Sequence, residues 1–152
     1  MPQNPDRDLT DFLPYLLNMA AEESSARFQA IYKERYGILR TEWRVLFHLG
    51  RYADMTAREI CDRARIHKTK VSRAVAKLET RRFLRRTEVP TDRRNAMVGL
   101  TKVGQAAYID LAEKAHVYNI TLSEGLSPED QKTLRRCLVQ LANLPNISKL
   151  TL

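Results

Sequence analysis

The sequence predicts a mostly α fold with a small β-wing, and three observations carry that expectation. Apolar residues recur at helical spacing through most of the chain. A short strand-like alternation is confined to residues 83–100. The positive charge is concentrated in one central segment that ends at this alternation. Residues 58–102 hold 14 lysines and arginines against five acids, a local charge of +9 in a chain whose total is +8. Such a segment attracts polyanions and releases their counterions.

Composition narrows the class further. The 152 residues are 43% hydrophobic and 29% charged, as in a soluble globular protein. No apolar run reaches the roughly 18 residues of a membrane helix. The opening MPQNPDRDLTDF is polar and lacks the apolar core of a signal peptide, so a cytoplasmic location is expected. Two cysteines, Cys61 and Cys137, make no disulfide framework and are expected to be small buried hydrophobes.

The first helix is expected over residues 12–36. Apolar residues stand at 13, 16, 17, 20, 21, 28 and 31, Leu13-Pro14 suits a start, and Gly37 suits the C-terminal cap. Thr41 then precedes EWRVLFHL, a short apolar helix expected to close at Gly50. Thr56 and Glu59 have capping-box spacing and open a third helix that buries Ile60, Cys61 and Ala64.

A three-residue turn, Arg65-Ile66-His67, leads into a two-faced fourth helix. Val71, Ala74, Val75 and Leu78 form an apolar back, while Lys70, Arg73 and Lys77 form a cationic front. The pair has helix-turn-helix spacing, and the cationic front suits the width of a DNA major groove. Next comes a hairpin, with strands expected over 83–88 and 96–100 and a turn over 89–95, because Pro90 cannot donate to a ladder. An arginine at such a tip has access to a minor groove. Thr101 is expected to cap a long helix over 102–122, with Ala106, Tyr108, Ile109, Ala112, Ala115 and Leu122 among its apolar positions. Ser127-Pro128-Glu129-Asp130 starts a last helix with Leu134, Leu138, Leu141 and Leu144 on its packed side.

This order of parts, over residues 12–144, resembles the MarR (multiple antibiotic resistance regulator) family. Three stretches carry the resemblance: ICDRARIHKTKVSRAVAKLE, the wing signature Asp92-Arg93-Arg94, and Leu100-Thr101-Lys102-Val103-Gly104. The family commonly has glycine near the end of this helix, where Arg82 and Phe83 stand, so either Arg82 adopts a left-handed cap or the helix ends differently from the family's.

The resemblance implies a homodimeric DNA-binding regulator, a repressor released from a pseudo-palindromic operator by a small phenolic or anionic effector. It divides the chain into an N-terminal dimerisation helix (1–36), a winged helix-turn-helix region (37–101) and C-terminal dimerisation helices (102–152). The greasy tail LPNISKLTL is expected to pack on the partner. Lys68, Thr69, Lys70, Ser72, Arg73 and Lys77 would meet DNA, with Arg73 the candidate for bidentate guanine contact. Arg94 would enter the minor groove, Asp92 would hold its guanidinium, and Arg93 would meet phosphate. Tyr15, Met19, Phe28, Tyr32, Trp43 and His48 would line an effector crevice, or serve as ordinary core.

Four other readings have less behind them. A thiol-based redox regulator of the same fold would place a cysteine early in the first helix, where this chain has Tyr15. His48, His67 and His116 are isolated, so no metal is expected. The five glycines form no phosphate loop and no nucleophile–base set is visible, so neither an enzyme nor a cofactor is expected. A winged helix used only for protein contact would not need the +9 segment.

Overall fold

The computed structural model describes residues 8–144, without the side chains of Val89, Asp92, Arg93 and Arg94. Two expectations, the packing of the tail beyond Leu144 and the pairing of the Asp92 and Arg94 side chains, therefore lie outside the described residues. Six α-helices and three strands follow in the order α1 (Leu13–Tyr36), α2 (Arg40–Tyr52), β1 (Met55–Thr56), α3 (Ala57–Ala64), α4 (Lys68–Thr80), β2 (Leu84–Val89), β3 (Asp92–Leu100), α5 (Lys102–Ser123) and α6 (Pro128–Leu141). The chain forms two compact units, Met1–Ala115 and His116–Leu152.

In the first unit the core gathers around α2 and α4. Val45, Leu46 and Leu49 of α2 are buried, as are Val71, Ala74, Val75 and Leu78 of α4. Ile60 and Ala64 of α3, Leu84 and Val98 of the sheet, and Ala107 and Leu111 of α5 are buried with them. Full burial of each larger aliphatic chain contributes about 1.5–3 kcal/mol. From α1 only Phe28 and Tyr32 are buried; Leu13 and Leu16 stay exposed.

Local chemistry sets most boundaries. α1 ends at Gly37, whose φ of 61° is left-handed. The Thr56 hydroxyl accepts from the Glu59 N–H at 3.2 Å, and the Glu59 carboxylate accepts from the Thr56 N–H at 2.7 Å, completing the capping box. α2 departs from expectation, because it starts at Arg40 and continues through Gly50 to Tyr52. Gly50 is a site of close approach rather than a stop: a Cβ there would collide with the Tyr108 ring.

The sheet order is β1-β3-β2, all antiparallel. β1 is not legible in sequence, since two residues show no periodicity; Met55 pairs with Val98 on β3. The hairpin turn is only Pro90 and Thr91, since Val89 already pairs with Asp92 and β3 takes in the residues to Asn95 that read as turn. The polar stretch 92–95 is thus strand, and the ladder carries a register shift between Thr87 and Val89. Gly99 leaves room for Asp54, which pairs with Arg85 at 3.0 Å.

The end of α4 is locked to the start of α5. Arg82 adopts φ 62°, the Phe83 N–H returns to the Leu78 carbonyl at 2.9 Å, and the Arg82 N–H to that of Glu79. This is the Schellman closure with arginine in the usual glycine position. Thr101 donates its hydroxyl to the Arg82 carbonyl at 2.7 Å and accepts from the Gly104 N–H at 3.0 Å, so one side chain caps α5 and joins it to the hairpin base. Gly104 lies against the Phe83 carbonyl, which occupies the space a Cβ would need. α5 buries Gly104, Ala107 and Leu111; Ala106 and Ile109, expected on the apolar side, are exposed because the closeness at Gly104 sets the rotation of the helix. Asp110 anchors the end of α1 to α5, accepting from the Tyr36 hydroxyl at 2.6 Å and from both Arg35 donors at 2.9 and 3.2 Å. Those bonds hold its carboxyl below the usual range, the Tyr36 hydroxyl contributing most.

In the second unit the Ser127 hydroxyl accepts from the Asp130 N–H at 3.1 Å and starts α6 as expected. Leu134, Leu138, Leu141 and Leu144, read as its packed side, are all at least 40% exposed within the single chain. Cys137 is also exposed and Cys61 only partly buried, which corrects the expectation of two buried thiols.

Two substitutions test this junction in opposite directions. Gly104→Ala is expected to destabilise the protein by about 1–3 kcal/mol through overpacking against a carbonyl. Arg82→Gly is expected to stabilise it by about 0.5–1 kcal/mol by relieving left-handed strain. Urea denaturation of both variants checks the signs.

Candidate nucleic-acid interface

Helix α4 is held by its apolar back, and this presents a polar front. Lys68, Thr69, Lys70, Ser72 and Arg73 are all exposed. His67 caps the helix, its Nδ1 accepting from the Thr69 N–H at 3.2 Å. The three-residue turn before it is entered through Arg65, the left-handed cap of α3 at φ 53°. Hydroxyl, ammonium and guanidinium donors thus share the first two turns of one helix, where the backbone dipole also favours anions.

Lys77 has a different setting. Its Nζ lies 3.0 Å from Oε1 of Glu42, a carboxylate that is buried to 5% exposure. The other Glu42 oxygen accepts from the Leu39 N–H at the start of α2. The pair ties the last turn of α4 to the first turn of α2. Sequence reasoning missed Glu42, because an acid in a first helical turn usually serves only its own helix.

The arginine-rich hairpin follows on the same lobe. Arg85 is bound to Asp54 and Arg86 to Glu79 at 2.5 Å. For Asp92, Arg93 and Arg94 only the backbone is described, as the opening of β3.

Beside this lobe lies an aromatic pocket of about 350 Å³. Phe28, Tyr32 and Trp43 line it, and Ser25, Arg40 and Arg44 complete it. Tyr32 and Trp43 stack at 5.8 Å, and Phe28 meets both edge-on at 5.6 and 5.3 Å. Burial pushes the Tyr32 hydroxyl up, so it is a neutral donor at physiological pH. Arg40 pairs with Glu22 at 3.1 Å, and Arg44 donates to the Ala64 carbonyl at the end of α3.

Tyr15, Met19 and His48 do not line this pocket. Tyr15 and Met19 are exposed on α1. His48 turns along its own helix, with Nδ1 2.6 Å from the Arg44 carbonyl, so the ring nitrogen donates. Burial holds its pKa below the usual histidine range, which keeps it neutral. Sequence reasoning missed the two arginines, although their spacing around Trp43 is a usable signal.

A sequence model described as the MarR family matches residues 36–95. The chain is 24% identical over 127 residues to YwaE of Bacillus subtilis, an uncharacterised HTH-type transcriptional regulator, spanning 84% of this chain and 74% of that one. Among solved structures, a MarR/EmrR family transcriptional regulator from Acinetobacter superposes with a TM-score of 0.81 at 26% identity, over 90% of this chain and 96% of that one. BpsR of Bordetella bronchiseptica, whose DNA binding is regulated by 6-hydroxynicotinic acid, superposes with a TM-score of 0.72 at 19% identity, over 84% of this chain and 98% of that one.

The Glu42–Lys77 pair makes a measurable prediction. Lys77→Met is expected to cost about 1 kcal/mol, the lower end for stranding a buried acceptor, because the lysine is half exposed. Glu42→Gln with Lys77→Met should cost less than the sum of the single changes. A double-mutant cycle in urea reads the coupling.

Proposed function

The chain belongs to the MarR family of DNA-binding transcriptional regulators, and on that premise we propose that it is a homodimeric repressor released from its operator by a small aromatic acid. The observation that carries the reading is the exposed cationic front of α4, backed by four buried apolar residues. Lys68, Thr69, Lys70, Ser72 and Arg73 enter the major groove. Arg73 reads a guanine, and the lysines and hydroxyls fix the register on phosphate. Arg93 and Arg94 extend the contact from the wing, with Asp92 orienting Arg94. Lys77 acts through Glu42, as a positioning residue for α4.

Assembly follows from uncovered apolar surface. In the first unit Leu13, Leu16 and Met19 of α1 are at least 40% exposed, and in the second Leu134, Leu138 and Leu141 of α6 are as well. A second copy is the partner that removes both stripes from water, and it presents two α4 helices to half-sites about one DNA turn apart. Residues 1–36 and 102–152 are then the dimerisation regions and 37–101 the DNA-binding region. A chromosomal operator implies a cytoplasmic protein.

The aromatic pocket supports the effector. Three rings offer stacking surface for a planar ligand, and Arg40 and Arg44 offer the fork that pairs with a carboxylate. No helix among the described residues is long and apolar enough to cross a membrane.

Sedimentation is expected to give a dimer, and selection of bound duplexes a two-fold motif. Arg73→Ala should lose base preference at one symmetric pair of positions, at a cost of about 1–3 kcal/mol. An unchanged motif would remove the base-reading assignment.

Trp43 is the chain's single tryptophan and lies in the pocket wall. Titration with 6-hydroxynicotinic acid as a probe should quench its emission, and Arg44→Ala should abolish the quench. Equal quenching in both proteins would place the acid elsewhere.

A further inference from the structure

A second pocket, of about 260 Å³, lies between the first turn of α2 and the turn that joins α3 to α4. Arg40, Thr41 and Arg44 come from α2, Arg65 and His67 from the turn, and Lys70 from α4. Ile66 is its apolar member. Four of these side chains are cationic and none is acidic. Arg40 also pairs with Glu22 on α1 at 3.1 Å, outside the lining. The pocket's own residues therefore bring four cations together and supply no carboxylate.

Arg44 is central to this arrangement. It donates to the Ala64 carbonyl, which fixes its guanidinium at the turn. Burial first, and then repulsion from Arg40, holds its pKa below the ordinary arginine value. Like charges gathered at a partly buried site carry an electrostatic cost, and a bound anion relieves it. Guanidiniums and hydroxyls are the groups that hold phosphate oxygens by paired donors.

We propose that this pocket is a seat for one backbone phosphate of duplex DNA, with Arg40, Arg65 and Lys70 as contacts and Arg44 as the positioning residue behind them. The proposal rests on the reading of α4 as the DNA-facing helix. Lys70 belongs both to the exposed front of that helix and to the pocket. A duplex whose groove takes α4 carries its backbone past the preceding helices, where Arg40 and Arg65 stand. Neither Arg40 nor Arg44 belongs to the basic segment 58–102, so the seat extends the electrostatic footprint beyond it.

The test uses the full chain and a random-sequence duplex, with affinity measured by fluorescence anisotropy over a series of chloride concentrations. Arg65→Gln and Arg40→Gln are compared with wild type and with Arg135→Gln on α6. The slope of log affinity against log salt falls by about 0.9 for each phosphate no longer neutralised, so a dimer whose two seats are weakened should lose up to about 1.8. Both pocket variants are expected to show that drop with an unchanged thermal midpoint, and Arg135→Gln is not. Arg65→Gln keeps a non-glycine residue at the same left-handed position, so it isolates the charge if Arg40→Gln unfolds. An unchanged slope in Arg65→Gln overturns the proposal, as does an equal drop in Arg135→Gln. Inorganic phosphate, titrated at constant ionic strength, separates the two sources of this chemistry. Loss of phosphate binding in Arg65→Gln with an unaltered duplex slope would assign the pocket to a free anion and overturn the seat. Wild type that binds no duplex at all would instead overturn the DNA-facing reading of α4.

Discussion

Val71, Ala74, Val75 and Leu78 lie beneath α4, packed toward α2, and nearly everything polar about the lobe follows from that contact. A helix turns about 100° per residue, so sinking four residues at this spacing leaves one stripe for solvent. Thr69, Lys70, Ser72 and Arg73 occupy the open side because their neighbours cannot be moved, and Lys68 is exposed as the first residue of the helix. The hydrophobic packing therefore aims the donors, and the ion pair between Lys77 and Glu42 ties the last turn of the helix to α2.

Helix α2 is the hub through which other parts reach α4. Its first turn carries Arg40, Glu42, Trp43 and Arg44, which face an aromatic pocket, a basic pocket, the end of α3 and the last turn of α4. Arg40 and Arg44 line both pockets. On the proposed readings, an acid in one and a phosphate in the other would draw on the same pair of charges, each weakening the field available to the other. Further along, Gly50 lets the Tyr108 ring approach α2, which joins α5 to the same helix.

The hairpin base shows how a short motif is built from steric need. Thr101 satisfies an open N–H of α5 and an open carbonyl at Arg82 with one hydroxyl. Gly104 is required because the Phe83 carbonyl occupies the space of its side chain. Arg82 accepts left-handed strain at the Schellman position, which glycine would adopt without it, and keeps a cation at the root of the wing.

What the sequence determined by itself is whatever depends on neighbours within about one helical turn. The caps at Thr56, Thr101 and Ser127, the helix end at Gly37 and the two faces of α4 were all legible, because their partners lie three to five residues away, whereas the left-handed Arg82 was one of two endings that the resemblance left open. Phe28, Tyr32 and Trp43 were named among six crevice residues that the resemblance implied, but neither their separation from Tyr15, Met19 and His48 nor the closure by Arg40 and Arg44 was legible. Only the tertiary structure decided the features whose partners are distant in sequence. These are the Glu42–Lys77 pair, the Arg44 bond to Ala64, the strand at Met55, the continuation of α2 through Gly50 and the rotation of α5. A glycine reads as a helix stop until an aromatic ring is found against it, and a glutamate reads as solvated until a lysine from another helix reaches it. Periodicity records which residues leave water, but not which surface receives them, and the receiving surface chose these contacts.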